Sequence, residues 1–334
     1  MAHPRRVILV TGMPRSGTTP CGSNFELAKG ARHLYEPFNP GYGMQGISRH
    51  YEVPGANDFT MERLDAAVEA IRCLTLRLKR YYNPREVGGR RLVKWLFGDR
   101  ARLAYWRCRL DRSVETIIWK DPNACFTARA VTDRQGIPVV VTVRPAAAVV
   151  ASYKRMDWDP GLPQILRSLA QVGIEFPQLL SDYGKWMDSR TVAAAMLWFV
   201  IYSTLMEWAD TRPLIRLVNL QETIERPIAY YRLLFEWLGL PWSQEVADGL
   251  RRRYPQEKGA GAAAEPLPQR AHVRRRSLSH VNTYGARLLT AEEQAVIEDI
   301  TGDLWRRLQQ ACISVAPPMP RAAGEETSPL AVGR

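Results

Sequence analysis

The chain has 334 residues, of which 46% are hydrophobic, so it is long enough to bury a large core in one elaborated domain or in two. Its formal net charge of +12 arises from 39 arginines and seven lysines that are spread along the whole chain. Because neither an RNP-like aromatic segment nor a zinc-finger spacing accompanies them, these basic residues suit an anionic ligand and do not predict a nucleic-acid partner.

The five cysteines, at positions 21, 73, 108, 125 and 312, form no CxxC pair and no zinc-type spacing with the histidines, so we expect reduced thiols and no metal site. The apolar run in "MAHPRRVILVTG" is too short for a secretory leader, and no later apolar run reaches about 18 uninterrupted residues. We therefore expect a cytoplasmic protein without a membrane span, which could form a homo-oligomer.

The first half of the chain begins with an apolar run that enters a glycine-rich turn, "VILVTGMPRSGTTP", and a stretch compatible with a helix follows over residues 21–29. The segment "ARHLYEPFNP" ends in prolines, which predicts a strand end or a loop. Apolar residues at helical spacing then predict an amphipathic helix over residues 61–82.

Three further β-branched runs predict strands, in "ETIIWKDPN", "IPVVVTVRP" and "PLIRLVNLQETI". Helices are predicted in "AAAVVASYKRM" and in "PIAYYRLLFEWLGLPW", the second ended by Gly239 and Pro241. Alternating strands and helices predict an α/β fold with a doubly wound parallel sheet flanked by helices. Ligands bind at the carboxyl ends of the strands in such folds.

We predict one domain over residues 1–315, followed by a disordered tail over 316–334. Within the domain, residues 255–270 have the composition of a linker-like loop, and residues 271–312 are expected to form a C-terminal lid segment and a final helix capped by Thr290. Residues 155–200 carry no assigned role.

The loop after the first strand is the main candidate for phosphate binding. Gly12 and Gly17 have the separation found in a nucleotide-binding P-loop, but Thr18 stands where the P-loop lysine would be. What remains is a set of hydrogen-bond donors around a helix N-terminus. Such a set suits a 5′-phosphate that carries a transferable group with less charge than a γ-phosphate, so that the ligand needs no Mg²⁺. These donors come from Arg15, Ser16, Gly17, Thr18 and Thr19.

Residues 14–19, "PRSGTT", resemble the 5′-phosphosulfate loop P-[KR]-S-G-T-T of the sulfotransferases that use 3′-phosphoadenosine-5′-phosphosulfate (PAPS). Arg144 at a strand end, with Ser152 eight residues later, resembles the 3′-phosphate motif of the same family. A strand-end arginine can bind a phosphate bidentately, and a serine early in the next helix can donate to the same oxygens. "IRLVNLQETIERPIAYYRLLFEWLGLPW" is similar to a later strand and helix of the family, although "NLQET" departs from its usual pattern.

The resemblance covers most of residues 5–312 and implies a P-loop NTPase-like fold with PAPS as co-substrate, 3′,5′-adenosine bisphosphate as product and no metal. It also implies which residues bind the co-substrate: Arg15, Ser16, Gly17, Thr18, Thr19, Arg144 and Ser152.

Sulfuryl transfer to a hydroxyl group needs a base, cations around the SO₃ group and stabilisation of the departing phosphate. Glu36 in "HLYEPFNP" resembles the Glu-Pro segment of carbohydrate sulfotransferases, where the carboxylate is taken as the base. The cytosolic branch of the family uses a histidine beside a lysine instead. "IIWKDPN" retains Lys120 but lacks that histidine, so Glu36 is the candidate base and His33 the alternative.

Lys120 is expected to contact the sulfuryl group, Asp121 to hold that lysine or bind the acceptor, and Arg15 to stabilise the leaving phosphate. The alternatives are a surface loop carboxylate or a helix cap for Glu36, and a solvent-facing turn for Lys120 and Asp121.

Further candidates come from aromatic and basic residues elsewhere. Aromatic residues could line an acceptor pocket, although a core position is the commoner role for them. Basic residues of the lid could approach the 3′-phosphate when it closes. The aromatic candidates are Trp95, Phe97, Trp106, Trp198 and Phe199, and the basic ones are Arg276 and His280.

The sequence thus predicts a PAPS-dependent sulfotransferase that acts by in-line transfer with a carboxylate base. The expected acceptor is a hydroxyl of a carbohydrate, a glycolipid or a small metabolite. One alternative is a small-molecule kinase that uses Mg-ATP, against which Thr18 argues. The other is an inactive nucleotide-binding module, which would keep the phosphate motifs and tolerate loss of Glu36 and Lys120.

Overall fold

A computed structural model describes residues 4–79, 100–254 and 288–315. Its centre is a parallel five-stranded sheet with the order β2-β3-β1-β4-β5. The strands are β1 Arg6–Thr11, β2 Ala31–Tyr35, β3 Thr116–Lys120, β4 Val139–Val143 and β5 Ile215–Asn219. All residues of β3 and β4 are buried, as the continuous β-branched and apolar runs predict for strands covered on both faces.

Helices cover both faces of this sheet. In chain order they are α1 Thr18–Phe25, α2 Met61–Cys73, α3 Arg100–Leu110, α4 Ala128–Gln135, α5 Ala146–Met156, α6 Leu162–Ala170, α7 Pro177–Tyr183, α8 Arg190–Thr211, α9 Leu220–Glu225, α10 Pro227–Trp237, α11 Gln244–Arg253 and α12 Ala291–Ala311. One face packs against α1, α10 and α11, and the other against α2, α5, α8 and α12. This arrangement confirms the predicted α/β fold with a doubly wound parallel sheet.

The strand register brings the carboxyl ends of the strands to one edge. Tyr35 on β2 and Val10 on β1 both lie opposite Lys120 on β3, and Val143 on β4 lies opposite Asn219 on β5. The segments that follow these strands therefore meet at the same edge.

Two predicted helix boundaries are wrong. The helix after the first loop begins at Thr18 and not at residue 21, because Gly17 is already its N-cap. The helix predicted over 61–82 ends at Cys73, where Leu74 turns into the left-handed region with φ 53°. Leu78 continues the apolar spacing but lies in an antiparallel bridge with Met44, so it packs from extended backbone. Residues 80–82 lie outside the described residues.

The unassigned residues 155–200 fold mainly as helices, and they include the beginning of α8. This 22-residue helix is long and apolar enough to span a membrane by length and composition, but 72% of its most apolar window is buried inside the protein. Trp198, which it carries, is fully buried. α8 is therefore a buried helix of the core.

The final helix starts as predicted. Thr290 accepts a hydrogen bond from the backbone N–H of Glu293, whose side chain accepts one from the backbone N–H of Thr290, so the two form a capping box. Glu293 also pairs with Lys154 on α5 at 2.7 Å. Several predictions concern positions outside the described residues: the loop over 255–270, the first part of the lid, the tail over 316–334, and Trp95, Phe97, Arg276 and His280.

Candidate active site

The loop between β1 and α1 has a backbone that only glycine suits at two positions. Gly12 has φ 132°, and a Cβ there would lie 2.5 Å from the carbonyl oxygen of Thr142. Gly17 has φ 101°, and a Cβ there would lie 2.5 Å from Cδ1 of Leu220. Gly17 makes no side-chain capping bond, so the first N–H groups of α1 keep the donor capacity that an anion can use.

The loop is supported from behind by β4 and α8. The hydroxyl oxygens of Ser16 and Thr142 lie 2.8 Å apart. Tyr202 of α8 accepts a hydrogen bond from the backbone N–H of Met13 at 3.3 Å and donates one to the carbonyl oxygen of Thr142 at 2.8 Å. Ser16 is fully buried, so its hydroxyl supports the loop. Sequence reasoning missed Tyr202, because an apolar helix contains no local signal for this contact.

The two predicted phosphate motifs meet in space. Nε of Arg15 donates to the hydroxyl oxygen of Ser152 at 2.8 Å, and Nη1 of Arg144 donates to the carbonyl oxygen of Arg15 at 3.1 Å. The indole N–H of Trp198 donates to the carbonyl oxygen of Arg144 at 3.0 Å. Arg144 and Ser152 are both buried. These contacts bring two cations and a hydroxyl together beside the N-terminus of α1.

Glu36 and Lys120 form a buried ion pair at the carboxyl ends of β2 and β3. Nζ of Lys120 contacts Oε1 of Glu36, and the side chains are 2% and 11% exposed. The backbone N–H of Glu36 also donates to the carbonyl oxygen of Lys120 at 2.8 Å, which extends the pairing of the two strands. Neither the surface carboxylate nor the solvent-facing turn considered as alternatives is therefore found.

The other oxygen of the Glu36 carboxylate accepts two further hydrogen bonds. The phenol of Tyr42 and Nδ2 of Asn39 both donate to Oε2, the latter at 3.0 Å. Neither residue was among the predicted site residues, although both lie within six positions of Glu36. Glu36 itself has φ 47°, a left-handed conformation that is uncommon outside glycine and that tertiary contacts must hold in place.

Electrostatics keep the Glu36 carboxylate ionised. Burial alone would raise its pKa, but the Lys120 ammonium and the hydrogen bonds from Lys120, Tyr42 and Asn39 together hold the pKa below its ordinary value. The carboxylate is consequently charged at neutral pH and can accept a proton.

His33, the alternative base, has a different environment. Its Nε2 lies 3.2 Å from the position that a Cβ at Gly22 would occupy, so the ring packs against α1. Burial and the Lys120 charge lower the pKa of His33 to about 3. Such an imidazole is neutral at pH 7, and a pKa this low makes it a weak base.

Asp121 does not hold Lys120, contrary to one prediction for it. Its carboxylate accepts hydrogen bonds from the backbone N–H groups of Phe38 and Asn123, and from the indole of Trp119 at 3.4 Å. Burial and the Glu36 charge raise the pKa of Asp121 to about 7. It is fully buried and caps the 3-10 turn Pro122–Thr127, a structural role that Asp before Pro commonly fills.

The described aromatic candidates do not form a common pocket. Trp198 lies in the core, Phe199 contacts Phe176 at a centroid distance of 6.5 Å, and Trp106 is 49% exposed on α3. No group of three or more His, Cys, Asp or Glu side chains that could hold a metal occurs in residues 4–79, 100–254 and 288–315.

Comparisons with known proteins give matches only among solved structures. No family model and no curated protein matches the chain. The sulfotransferase domain from the curacin biosynthetic pathway is 10% identical with a TM-score of 0.45, and the match covers 91% of this chain and 99% of that one. Sulfotransferase STF9 from Mycobacterium avium is 15% identical with a TM-score of 0.43, over 92% and 77% of the two chains.

A third match is mouse sulfotransferase SULT7A1 in complex with PAP, which is 13% identical with a TM-score of 0.41, over 92% of this chain and 88% of that one. The chain resembles sulfotransferases of solved structure. At identities of 10–15% and TM-scores of 0.41–0.45, this similarity alone assigns no activity to it.

Proposed function

We propose that the protein transfers a sulfuryl group from PAPS to a hydroxyl group, with Glu36 as the base. The observation that carries this proposal is the contact between the two phosphate motifs. Arg15 reaches Ser152, and Arg144 reaches the Arg15 carbonyl, which leaves one cationic cluster beside a helix N-terminus. A nucleoside with phosphate groups on both its 3′ and 5′ oxygens offers one anion to each motif, which a ligand with a single phosphate does not.

The residues of the loop suit the 5′ end of PAPS. The glycine backbone leaves no room for side chains, and the uncapped N–H groups of α1 can donate to phosphate oxygens. Arg15 is proposed to stabilise the phosphate that departs, while Arg144 and Ser152 bind the 3′-phosphate. Thr18 and Thr19 begin α1, where their backbone N–H groups and hydroxyls can serve as further donors.

The ion pair at the neighbouring strand ends supplies the remaining chemistry. The acceptor hydroxyl gives its proton to Glu36, its oxygen forms a bond to sulfur, and the bond between sulfur and the phosphate oxygen breaks with its electron pair leaving on the bisphosphate. Lys120, which stays next to Glu36, is proposed to offset the charge on the oxygens of the SO₃ group.

The proposed acceptor is a hydroxyl of a carbohydrate, a glycolipid or a small metabolite, and the proposed site of action is the cytoplasm. The carboxylate base supports a carbohydrate-like alcohol among these. A kinase is less well supported, because Thr18 opens α1 at the position where a P-loop lysine would reach the β- and γ-phosphates.

The proposal is tested first by calorimetric titration with 3′,5′-adenosine bisphosphate in EDTA, beside ATP with Mg²⁺. We expect binding of the bisphosphate that Arg144→Ala weakens strongly and Arg134→Ala does not, since Arg134 pairs with Asp65 at the exposed surface. Sulfuryl transfer from PAPS to a panel of hydroxyl compounds is then measured with Glu36→Gln as the control.

Binding of ATP alone would replace the proposal with the kinase. Binding of the bisphosphate without transfer to any hydroxyl would favour the inactive nucleotide-binding module.

A further inference from the structure

The loop after β2, residues 36–47, is built as a rigid support for the Glu36 carboxylate. The backbone N–H of Gly43 donates to the carbonyl oxygen of Asn39, and that of Met44 donates to the carbonyl oxygen of Pro37, both at 2.7 Å. A Cβ on Gly43 would lie 2.2 Å from the Pro37 carbonyl oxygen, so the loop closes on itself at a glycine.

A residue from outside the loop fastens it further. The backbone N–H of Lys79 donates to the carbonyl oxygen of Gly43 at 2.8 Å, and its ammonium donates to the carbonyl oxygen of Pro40 at 2.7 Å. Tyr42 and Asn39, which lie on this loop, are therefore presented to Glu36 from a fixed backbone.

The two oxygens of the Glu36 carboxylate are used differently. Oε2 accepts from Tyr42 and from Asn39, whereas Oε1 accepts from Lys120 and from no other side chain in the described part of the protein. An ionised carboxylate has about four lone-pair positions on its two oxygens. Two donors saturate Oε2, so one position stays open on Oε1, beside the Lys120 ammonium.

Tyr35 aligns the two donors that flank the carboxylate. Its ring stacks with that of Tyr42 at a centroid distance of 6.4 Å and an interplanar angle of 22°. The Lys120 ammonium lies 4.1 Å from the centroid of the same ring. Burial and the Glu36 charge raise the pKa of Tyr42, so its phenol stays protonated at neutral pH and can donate.

We infer that Tyr42 and Asn39 are positioning residues that saturate Oε2 of Glu36 and so reserve Oε1 for the acceptor hydroxyl. This inference rests on the proposed function. The acceptor's proton moves to Oε1, its oxygen bonds to sulfur, and the bond from sulfur to the phosphate breaks with its electron pair leaving on the bisphosphate. The acceptor hydroxyl would therefore lie next to both the base Glu36 and the Lys120 ammonium, which is proposed to face the SO₃ group.

The test is Tyr42→Phe, which removes the donor and keeps the ring stacked on Tyr35. We expect kcat to fall about tenfold, as for loss of a hydrogen bond to a charged group, with KM for PAPS unchanged. The acidic limb of the pH profile of kcat should move to higher pH, because a donor lost from the ionised form raises the pKa of the base. Asn39→Ala should likewise lower kcat and move the acidic limb of its pH profile to higher pH.

The matched control is Tyr183→Phe, which removes a phenol that donates to Asp299 at the exposed surface and should change neither quantity. A second readout does not need turnover: ¹³C NMR of the labelled Glu36 carboxyl should show a higher pKa in Tyr42→Phe. If the wild type is active and Tyr42→Phe changes neither the pH limb nor the NMR titration, the inference is overturned. A wild type that binds the bisphosphate but transfers no sulfuryl group overturns the proposed function instead, and the inference with it.

Discussion

The two halves of the carboxyl edge are stabilised in different ways. At the ends of β1 and β4, Arg15 and Arg144 are held by a hydroxyl and by a carbonyl oxygen. At the ends of β2 and β3, the charge of Lys120 is matched by Glu36. The first half, which we call the donor half after its proposed role, contains two arginines beside a helix N-terminus. The second half, which we call the catalytic half after its proposed role, contains a buried ion pair that keeps a carboxylate ionised.

Binding and proton transfer can be separated at one edge in this way. In the proposed roles, the donor half offers arginines and helix N–H groups to an anion, whereas the catalytic half contains the ion pair of Glu36 and Lys120. Loss of Arg144 should therefore change mainly ligand affinity, and loss of Glu36 should change mainly turnover and stability. Four predictions test this contrast.

The largest effect is expected from Glu36→Gln. Loss of a general base typically lowers kcat about 10²–10⁴-fold, and the amide also leaves the buried Lys120 without its counter-charge. We expect kcat to fall by this factor, the melting temperature to drop, and the affinity for adenosine bisphosphate to stay within about twofold. Steady-state kinetics measures kcat, thermal unfolding measures the melting temperature, and calorimetry measures the bisphosphate affinity. An equal loss of bisphosphate affinity would contradict the separation of the two halves.

Arg144→Ala should act mainly on the affinity for adenosine bisphosphate. It removes a charged donor for a phosphate, which is worth about 1.5–3 kcal/mol, so the dissociation constant for the bisphosphate should rise about 10–100-fold. Calorimetry measures this change, and Arg144→Lys, which keeps the charge but loses the planar fork, should recover part of it. An unchanged affinity would remove Arg144 from the donor site.

Gly17→Ala tests the backbone of the donor half. Its φ of 101° and the contact of the added Cβ with Leu220 predict a loss of about 1–3 kcal/mol in the free energy of unfolding, together with weaker bisphosphate binding. Gly136→Ala is the matched control, because Gly136 also has a positive φ but a Cβ there meets nothing within 4 Å. Denaturant titration should show a smaller loss for the control, and no loss of binding.

The smallest effect concerns pH. The folded pKa of His33 lies near 3 and its ordinary value is 6.5, so the unfolded chain binds the extra proton first as pH falls. Stability should therefore decline as pH drops from about 6.5 towards 3, by at most about 1.4 kcal/mol per pH unit from this group. The depressed pKa of Glu36 adds a loss in the same direction below its ordinary value of 4.5.

His33→Asn should flatten the decline of the melting temperature between pH 6.5 and 5, above the range of the Glu36 titration. An unchanged slope would show that folding does not lower the pKa of His33.

Much of the fold could be predicted because strand and helix periods are local properties. The run "VVVTV" forms β4 as predicted, and the capping pattern at Thr290 marks the start of α12. The helix over 61–82 was predicted too long, since Leu78 keeps the helical spacing although it pairs with Met44 in an antiparallel bridge. The prediction that Asp121 holds Lys120 was wrong, because the Asp121 carboxylate caps the 3-10 turn that follows β3.

The sequence alone predicts β1, β3, β4 and β5, the glycine positions of the phosphate loop and the likeness of both phosphate motifs to one family, because each depends on residues that are close in the chain. Only the tertiary structure decided that Glu36 pairs with Lys120, that Tyr42 and Asn39 hold the second carboxylate oxygen, and that Tyr202 supports the loop. The partners Glu36 and Lys120 lie 84 positions apart. Their contact follows from the pairing of β2 with β3, and no local period in the chain states which strands pair or in which register.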